Sequence, residues 1–462
     1  MRSEFPGVEP FVETLTTLDR HANPHLRNFF DHGPVTIARA PGRLDVMGGI
    51  ADYSGSLVLQ RPTAEATFVA LQPSDSSRVE IASLKKNRGG EQLRTFSIEL
   101  GALAPEAEPL DYESARMLLT QDAANHWASY VIGPLLVLMR ERDVRLPKGV
   151  RILISSAVPE GKGVASSAAL EVSVMKAVTE SLHVSMDSRA IALLCQKAEN
   201  AIAGAACGVM DQMTAVFGQA DSLFALLCQP AELQPSVRVP AEIAFWGLDS
   251  GERHAVGGAS YESVRTGAFM GHRIIGGAAS VDYLANVDPF EFERQFAPVL
   301  PEEILGEEFL ARYGRTSDSA TRVIPSRVYK VRQPTAHPVY EHHRVIQFRE
   351  LLLSKGGEER WTSMGELMYQ SHASYSACGL GSSGTDRIVQ FVREAGPAKG
   401  LYGARITGGG SGGTVAVLGR ADADRTVRGI AERYSDATGH EPVIFSGASS
   451  GAESFGSLTV NL

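Results

Sequence analysis

The pattern of this sequence predicts an α+β fold in two domains, and three observations carry that expectation. Apolar runs with strand and helix periods mix along the chain, without the strict alternation that a doubly wound parallel sheet requires. The 462 residues exceed what one hydrophobic core usually organises and suit two. Glycine is abundant, at 46 residues, and five of the six positions 408–413 are glycine, so loops that approach a ligand closely are expected.

The elements follow in order. Val35–Ala38 reads as a strand that runs into a loop interrupted by Gly and Pro, residues 40–49. Leu57–Leu59 and Ala66–Leu71 read as two more strands, separated by Arg61-Pro62. Trp127–Met139 is apolar on every side, as a buried helix is. Val150–Ile154 alternates as a strand and leads through the turn 158–163 into a helix opening at Ser166-Ser167. Further helices are expected over Ser188–Ile202 and from Met210, and strands over Asp221–Leu227 and Ile243–Leu248. Residues 281–345 are polar and read as helix with loops. Met364–Tyr375 and Thr385–Glu394 read as helices, and Ala404–Ile406 and Thr414–Leu418 as strands flanking the glycine loop. A boundary near residue 217 divides the chain into domains 1–217 and 218–462.

Composition excludes several functions. A net charge of −9 without a long basic run gives no electrostatic basis for holding nucleic acid. Cys195, Cys207, Cys228 and Cys378 are scattered, which argues against a zinc site or a disulfide framework. Met1–Pro10 has no apolar signal core, and no apolar run is long enough for a bilayer. A cytoplasmic protein that binds neither membrane nor nucleic acid is expected.

Three loops could carry chemistry. Pro159-Glu-Gly-Lys-Gly-Val-Ala-Ser-Ser-Ala168 joins a strand to a helix whose first N–H groups and dipole favour a phosphate. Gly161 and Gly163 leave room for it, and Ser166 and Ser167 add hydroxyls; a plain Ser-capped helix would read the same way. The loop is not a Walker A motif, because Lys162 is followed by Gly. Gly403-Ala-Arg-Ile-Thr-Gly-Gly-Gly-Ser-Gly-Gly-Thr414 contains G-x-G-x-x-G but leads into a strand, so it lacks the dinucleotide context. The third is Arg39–Arg43 with Asp52-Tyr53, and Asp211 adds an acid among apolar residues in Gly208-Val-Met-Asp-Gln212.

Taken in this order, the loops resemble the three motifs of the GHMP kinases, and the galactokinase branch most closely. Ala40-Pro-Gly-Arg-Leu-Asp-Val-Met-Gly-Gly-Ile-Ala-Asp-Tyr53 is similar to the galactokinase sugar signature. Trp127–Val131, Ala198-Glu199, Gly208–Gln212, Asp249-Ser250, Arg253-His254 and Gly403–Gly408 follow in the same order. The resemblance implies a ribosomal protein S5 domain 2-like N-terminal domain, a ferredoxin-like C-terminal domain and an ATP- and Mg²⁺-dependent sugar kinase. It implies Asp211 and Arg43 as catalytic residues, and Ser167 and Glu199 as Mg²⁺ ligands. Trp127, Gly161, Gly163, Ala165, Ser166, Ser167 and Ala168 would bind the nucleotide. Asp45, Gly49, Ile50, Asp52, Gly208, Tyr261 and Gly409 would bind the sugar.

One departure bears on the substrate. Galactokinases carry Glu-His where this chain has Gly49-Ile50, beside the exocyclic hydroxyl of the sugar. Arg43–Tyr53 and Cys378–Ser383 also resemble the L-arabinokinases, whose sugar has the galactose ring without that hydroxymethyl group. The resemblance therefore implies L-arabinose as substrate, with D-galactose or a non-catalytic sugar sensor as alternatives. Exchanging Gly49 for Glu together with Ile50 for His is expected to narrow or reverse the preference.

Overall fold

The computed structural model describes residues 5–87, 90–252, 260–276 and 281–462. Its strands are β1 (Pro34–Met47), β2 (Leu57–Ser74), β3 (Arg78–Asn87), β4 (Gly90–Glu99), β5 (Gly149–Ser156), β6 (Ser222–Leu227) and β7 (Glu232–Arg238). They continue with β8 (Ile243–Asp249), β9 (Glu303–Leu305), β10 (Val328–Lys330), β11 (Leu401–Ile406), β12 (Thr414–Arg420), β13 (Ile444–Ser446) and β14 (Leu458–Asn461).

Eight strands form the sheet of the first domain, in the order β14-β1-β2-β5-β3-β4, with β6 on β2 and β7 on β6. Among the described residues only the β3–β5 pair of this sheet is parallel. Alternation along β2 and β5 sends Phe68, Ala70 and Leu153 to one face, against Phe11, Leu15 and Leu26. Val69, Leu71, Ile152 and Ile154 go to the other, against Leu135, Val172, Met175 and Ile191 of three helices: Ser129–Arg142, Ser166–Ser181 and Ser188–Ala198. The expected pair of strands around Pro62 is one strand. Residues 57–60 pair with β6 and 67–74 with β5, so Pro62 falls between two ladders, where that edge needs no donor.

The second domain is a four-stranded antiparallel sheet, β11-β12-β8-β13. Trp246, Leu248, Val415 and Val417 pack on Ile388, Val392, Val427 and Ile430 of two helices, Ser383–Ala395 and Asp424–Thr438. On the opposite face Phe245, Ala416 and Leu418 share one core with Val46, Met47, Leu57 and Leu59 of the first domain. Residues 281–345 build a smaller cluster in which Leu284, Phe292 and Phe309 surround Ala268 and Met270 of the Tyr261–Gly276 helix. That region ends in the long helix Arg332–Leu353. The boundary expected near residue 217 precedes β6, β7 and β14, so the first sheet draws strands from both halves of the chain. Among the described residues no helix is long and apolar enough to cross a membrane.

Candidate active site

A cleft of about 580 Å³ lies where the two sheets meet, and the segment after β5 forms its floor. Gly161 and Gly163 both have φ near +72°, a region open to glycine at little cost. A Cβ on Gly161 would meet nothing within 4 Å, because that position faces the cleft. Ala165, the N-cap of the Ser166–Ser181 helix, is itself left-handed, with φ 58°, and offers no side-chain cap. The first N–H groups of a 16-residue helix are thereby left for an anion in the cleft. Ala165, Ser166 and Ser167 line it, whereas Ala168 is fully buried behind them.

The glycine loop of the second domain grips this segment from above. Thr414 Oγ1 donates to Lys162 O at 2.8 Å, and a Cβ on Gly408 would come 2.7 Å from Gly163 O. Lys162 turns away from the cleft, its ammonium 2.6 Å from the buried carboxylate of Asp249. Arg253-His254, expected beyond Asp249, lies outside the described residues.

Arg43 and Asp211 meet across the cleft. Arg43 Nε and Nη2 each donate to the Asp211 carboxylate at 2.9 Å, a bidentate pair, and Nη1 donates to Gly163 O at 2.6 Å. Burial pushes Asp211 above the usual carboxylate range, and the charge and hydrogen bonds of Arg43 pull it back. Glu199 sits in the π-turn Glu199–Ala203 and accepts from Gln212 Nε2 at 2.6 Å. Burial pushes its carboxyl up to about 7. Glu199 and Ser167 both line the cleft beside the helix N-terminus. One carboxylate and one hydroxyl next to a phosphate cradle fit Mg²⁺, which keeps waters and shares its remaining positions with phosphate oxygens. Trp127 and His126 line the far end of the same cleft.

At the opposite end Ile50, Asp52, Gly208, Tyr261 and Gly409 line the cleft. A Cβ on Gly208 would lie 1.7 Å from Asp52 Oδ2, so glycine there makes room for the acid. Asp52 Oδ1 is buried without a partner, and burial, followed by the charge of Asp211, pushes the carboxyl up to about 7. An unpaired buried acceptor facing a cleft is what a hydroxylated ligand would satisfy. Ile50 is left-handed, with φ 50°, and is buried among Val264, Tyr375, Cys378, Leu380 and Ile406. A β-branched residue in that region carries strain of about 1–3 kcal/mol, which the surrounding packing must offset.

Two of the expected sugar residues do not line the cleft. Asp45 is fully buried and paired with Arg405 at 3.0 Å, and its other oxygen accepts from Gln60 Nε2 at 2.8 Å. Gly49 lies in front of that pair: a Cβ there would come 1.9 Å from Asp45 Oδ2 and 2.1 Å from the Tyr375 hydroxyl. The exchange of Gly49 for Glu therefore has no room while Asp45 stays. Motif spelling alone did not reveal this, because register shifts at Pro41/Arg43 and Asp45/Met47 break the alternation of β1. Two further groups had no motif to mark them. Arg265 stands over the Tyr53 ring at 5.2 Å and forks onto Asp318, and Cys207 lines the cleft next to Gly208.

A two-domain α+β fold, with an uncapped helix N-terminus and a bidentate Arg43–Asp211 pair in its cleft, suits the handling of a phosphorylated ligand. The model of the GHMP kinases N terminal domain matches residues 129–219, and that of the GHMP kinases C terminal domain matches residues 348–436. A galactokinase of Chloroflexus aggregans is 30% identical over 89% of this chain and 91% of its own length. The chain belongs to the GHMP kinases. An L-arabinokinase of Arabidopsis thaliana is 44% identical over 98% of this chain, which spans about half (49%) of that protein's length. The crystal structure of Lactococcus lactis galactokinase complexed with galactose shares the fold, with a TM-score of 0.74 at 19% identity, covering 98% of this chain and 100% of that one.

Proposed function

We propose that this chain is an ATP-dependent sugar 1-kinase that transfers the γ-phosphoryl group to the anomeric hydroxyl of L-arabinose, giving L-arabinose 1-phosphate and ADP. The observation that carries the reading is the bidentate Arg43–Asp211 pair, set between the phosphate-binding helix N-terminus and the Ile50–Asp52 end of the cleft. The sugar O1–H is oriented toward the Asp211 carboxylate, which accepts its proton as O1 bonds to the γ-phosphorus. The bond from that phosphorus to the β–γ bridging oxygen breaks, and ADP leaves. Arg43 steadies the negative charge gathered at the transfer point, and the helix N–H groups hold the remaining phosphates. Ser167 and Glu199 would hold Mg²⁺, which neutralises phosphate charge. Trp127 and His126 would face the adenosine end.

The choice of L-arabinose rests on the apolar Ile50 wall and on the 44% identical L-arabinokinase. An apolar wall suits a bare C5 methylene and offers a hydroxymethyl group no partner. The intact Arg43–Asp211 pair argues against a non-catalytic sensor. A coupled ADP-release assay of the purified protein over free pentoses and hexoses tests both levels. The expected result is the highest kcat/KM with L-arabinose. Faster turnover of D-galactose would overturn the sugar, and absence of sugar-dependent turnover would overturn the kinase.

A further inference from the structure

The turn that carries Ile50 is held from behind by two helices far away in sequence. His337, in the Arg332–Leu353 helix, has Nε2 at 3.0 Å from Gly49 O and Nδ1 at 2.7 Å from Ser374 Oγ. A carbonyl can only accept, so Nε2 carries the proton, and Nδ1 of the neutral ring accepts from the Ser374 hydroxyl. Burial fits this state, holding the imidazole down at about 4. One helical turn on, the Glu341 carboxylate accepts the Gly48 N–H at 3.1 Å and the Ser371 hydroxyl at 2.6 Å, and it pairs with Arg344 at 2.8 Å. His342 Nδ1 accepts the Leu57 N–H at 3.0 Å, on the far side of the same turn. His337 stands edge-on to Tyr375, with ring centroids 5.3 Å apart, and the Tyr375 hydroxyl donates to Gly408 O at 2.9 Å. His337, Glu341, Ser371 and Tyr375 are all buried.

Neither His337 nor Glu341 lines the cleft, yet both bond the Gly48–Gly49 backbone immediately before Ile50. A left-handed β-branched residue persists only where its surroundings over-determine it. We propose that His337 and Glu341 are positioning residues for sugar choice: they clamp the Gly48–Gly49 backbone so that Ile50 keeps its strained turn and its side chain stays in the cleft wall. The proposal rests on the sugar-kinase reading and adds to it the residues that hold the discriminating wall.

The experiment replaces the donor while keeping the ring. His337→Phe retains an aromatic edge against Tyr375 but cannot bond Gly49 O. His337→Gln returns an N–H at the reach of Nε2. In folded His337→Phe, KM for L-arabinose is expected to rise about tenfold, the order of one buried hydrogen bond. The ratio of kcat/KM for L-arabinose over D-galactose should fall, KM for Mg·ATP should hold within about twofold, and His337→Gln should recover most of the loss. Hydrogen exchange should quicken at amides 48–52 and not at 159–168. If His337→Phe does not fold, Ser374→Ala carries the test, since it frees Nδ1 with little change of shape and should move the same quantities less far. An unchanged sugar ratio with unchanged exchange at 48–52, or equal losses for sugar and nucleotide, would overturn the proposal. Wild-type protein that turned over no sugar would instead overturn the kinase reading, and the exchange comparison would still decide whether His337 holds the turn.

Discussion

The two ends of the cleft are built on opposite principles. At the phosphate end the working groups are backbone: two left-handed glycines, a left-handed Ala165 and a helix with no side-chain cap. They come from one stretch of ten residues, and the glycine loop only rests on them. At the other end the apolar part of the wall is Ile50, and the Gly48–Gly49 backbone before it is held by buried polar groups from residues nearly three hundred positions away. A phosphate site can be local, because every helix N-terminus already offers donors to an anion. A wall that, on the proposed reading, excludes one hydroxymethyl group has no such ready part and is assembled from tertiary contacts.

The first and largest prediction probes the point where the two ends join. Asp211→Asn should lower kcat by roughly 10²- to 10⁴-fold, the range for loss of a general base, while Mg·ATP affinity holds. A variant retaining more than half of wild-type kcat would remove Asp211 from the chemistry. Next is the sugar end. Gly49→Ala should destabilise the protein by about 1–3 kcal/mol or more through overpacking against Asp45 and Tyr375, read as a fall in Tm. Gly49→Glu should be worse alone, and in a double-mutant cycle Asp45→Ala should rescue part of it by moving the acid rather than removing it from beside Arg405. Independent effects in that cycle would show that the two positions do not compete for the same space.

Smaller effects separate the ends. Gly161→Ala fills open cleft and forces a side chain into φ +72°, so calorimetry should show Mg·ATP binding weakened about tenfold with sugar KM little changed. Equal changes in both ligands would mean that the ends are not separable. A last prediction concerns pH. Asp52 is held up to about 7 in the fold by burial and Asp211, against Arg265, whereas the unfolded chain ionises it near 4. Between about pH 4 and 7 the folded state thus binds more protons, so this group's contribution makes stability fall as pH rises through that window. Asp52→Asn should flatten part of that slope in thermal melts, and an unaltered slope would place Asp52 in the ordinary carboxylate range.

The same contrast explains what could be read from sequence. That Gly161, Gly163, Arg43, Asp211 and Glu199 share one cleft was legible, the glycine turn from its local pattern and the other three through the resemblance of their motifs, and α+β was legible from mixed periods. Three things were not. The hairpin of β3 and β4 escaped because β3 buries Val79 and Ile81 in one core and Ala82 and Leu84 in another, which breaks the period-2 signal. Asp45 was expected at the sugar, yet bulges in β1 decide which way its carboxylate points. The part played by residues 332–353 left no local mark, since a His and a Glu one turn apart on a helix usually mean a solvated face.

The edge strand β14 has a consequence for biosynthesis. It pairs with the opening of β1, Pro34 opposite Asn461 and Ile37 opposite Leu458, and so fills the outer lane of the first sheet. Synthesis supplies that neighbour only some four hundred residues after β1, tens of seconds at about 5–20 residues per second. Through that interval an unpaired ladder is exposed at the ribosome, an edge open to other strands. Until β14 arrives, β1 would offer that edge to a chaperone that binds extended strands.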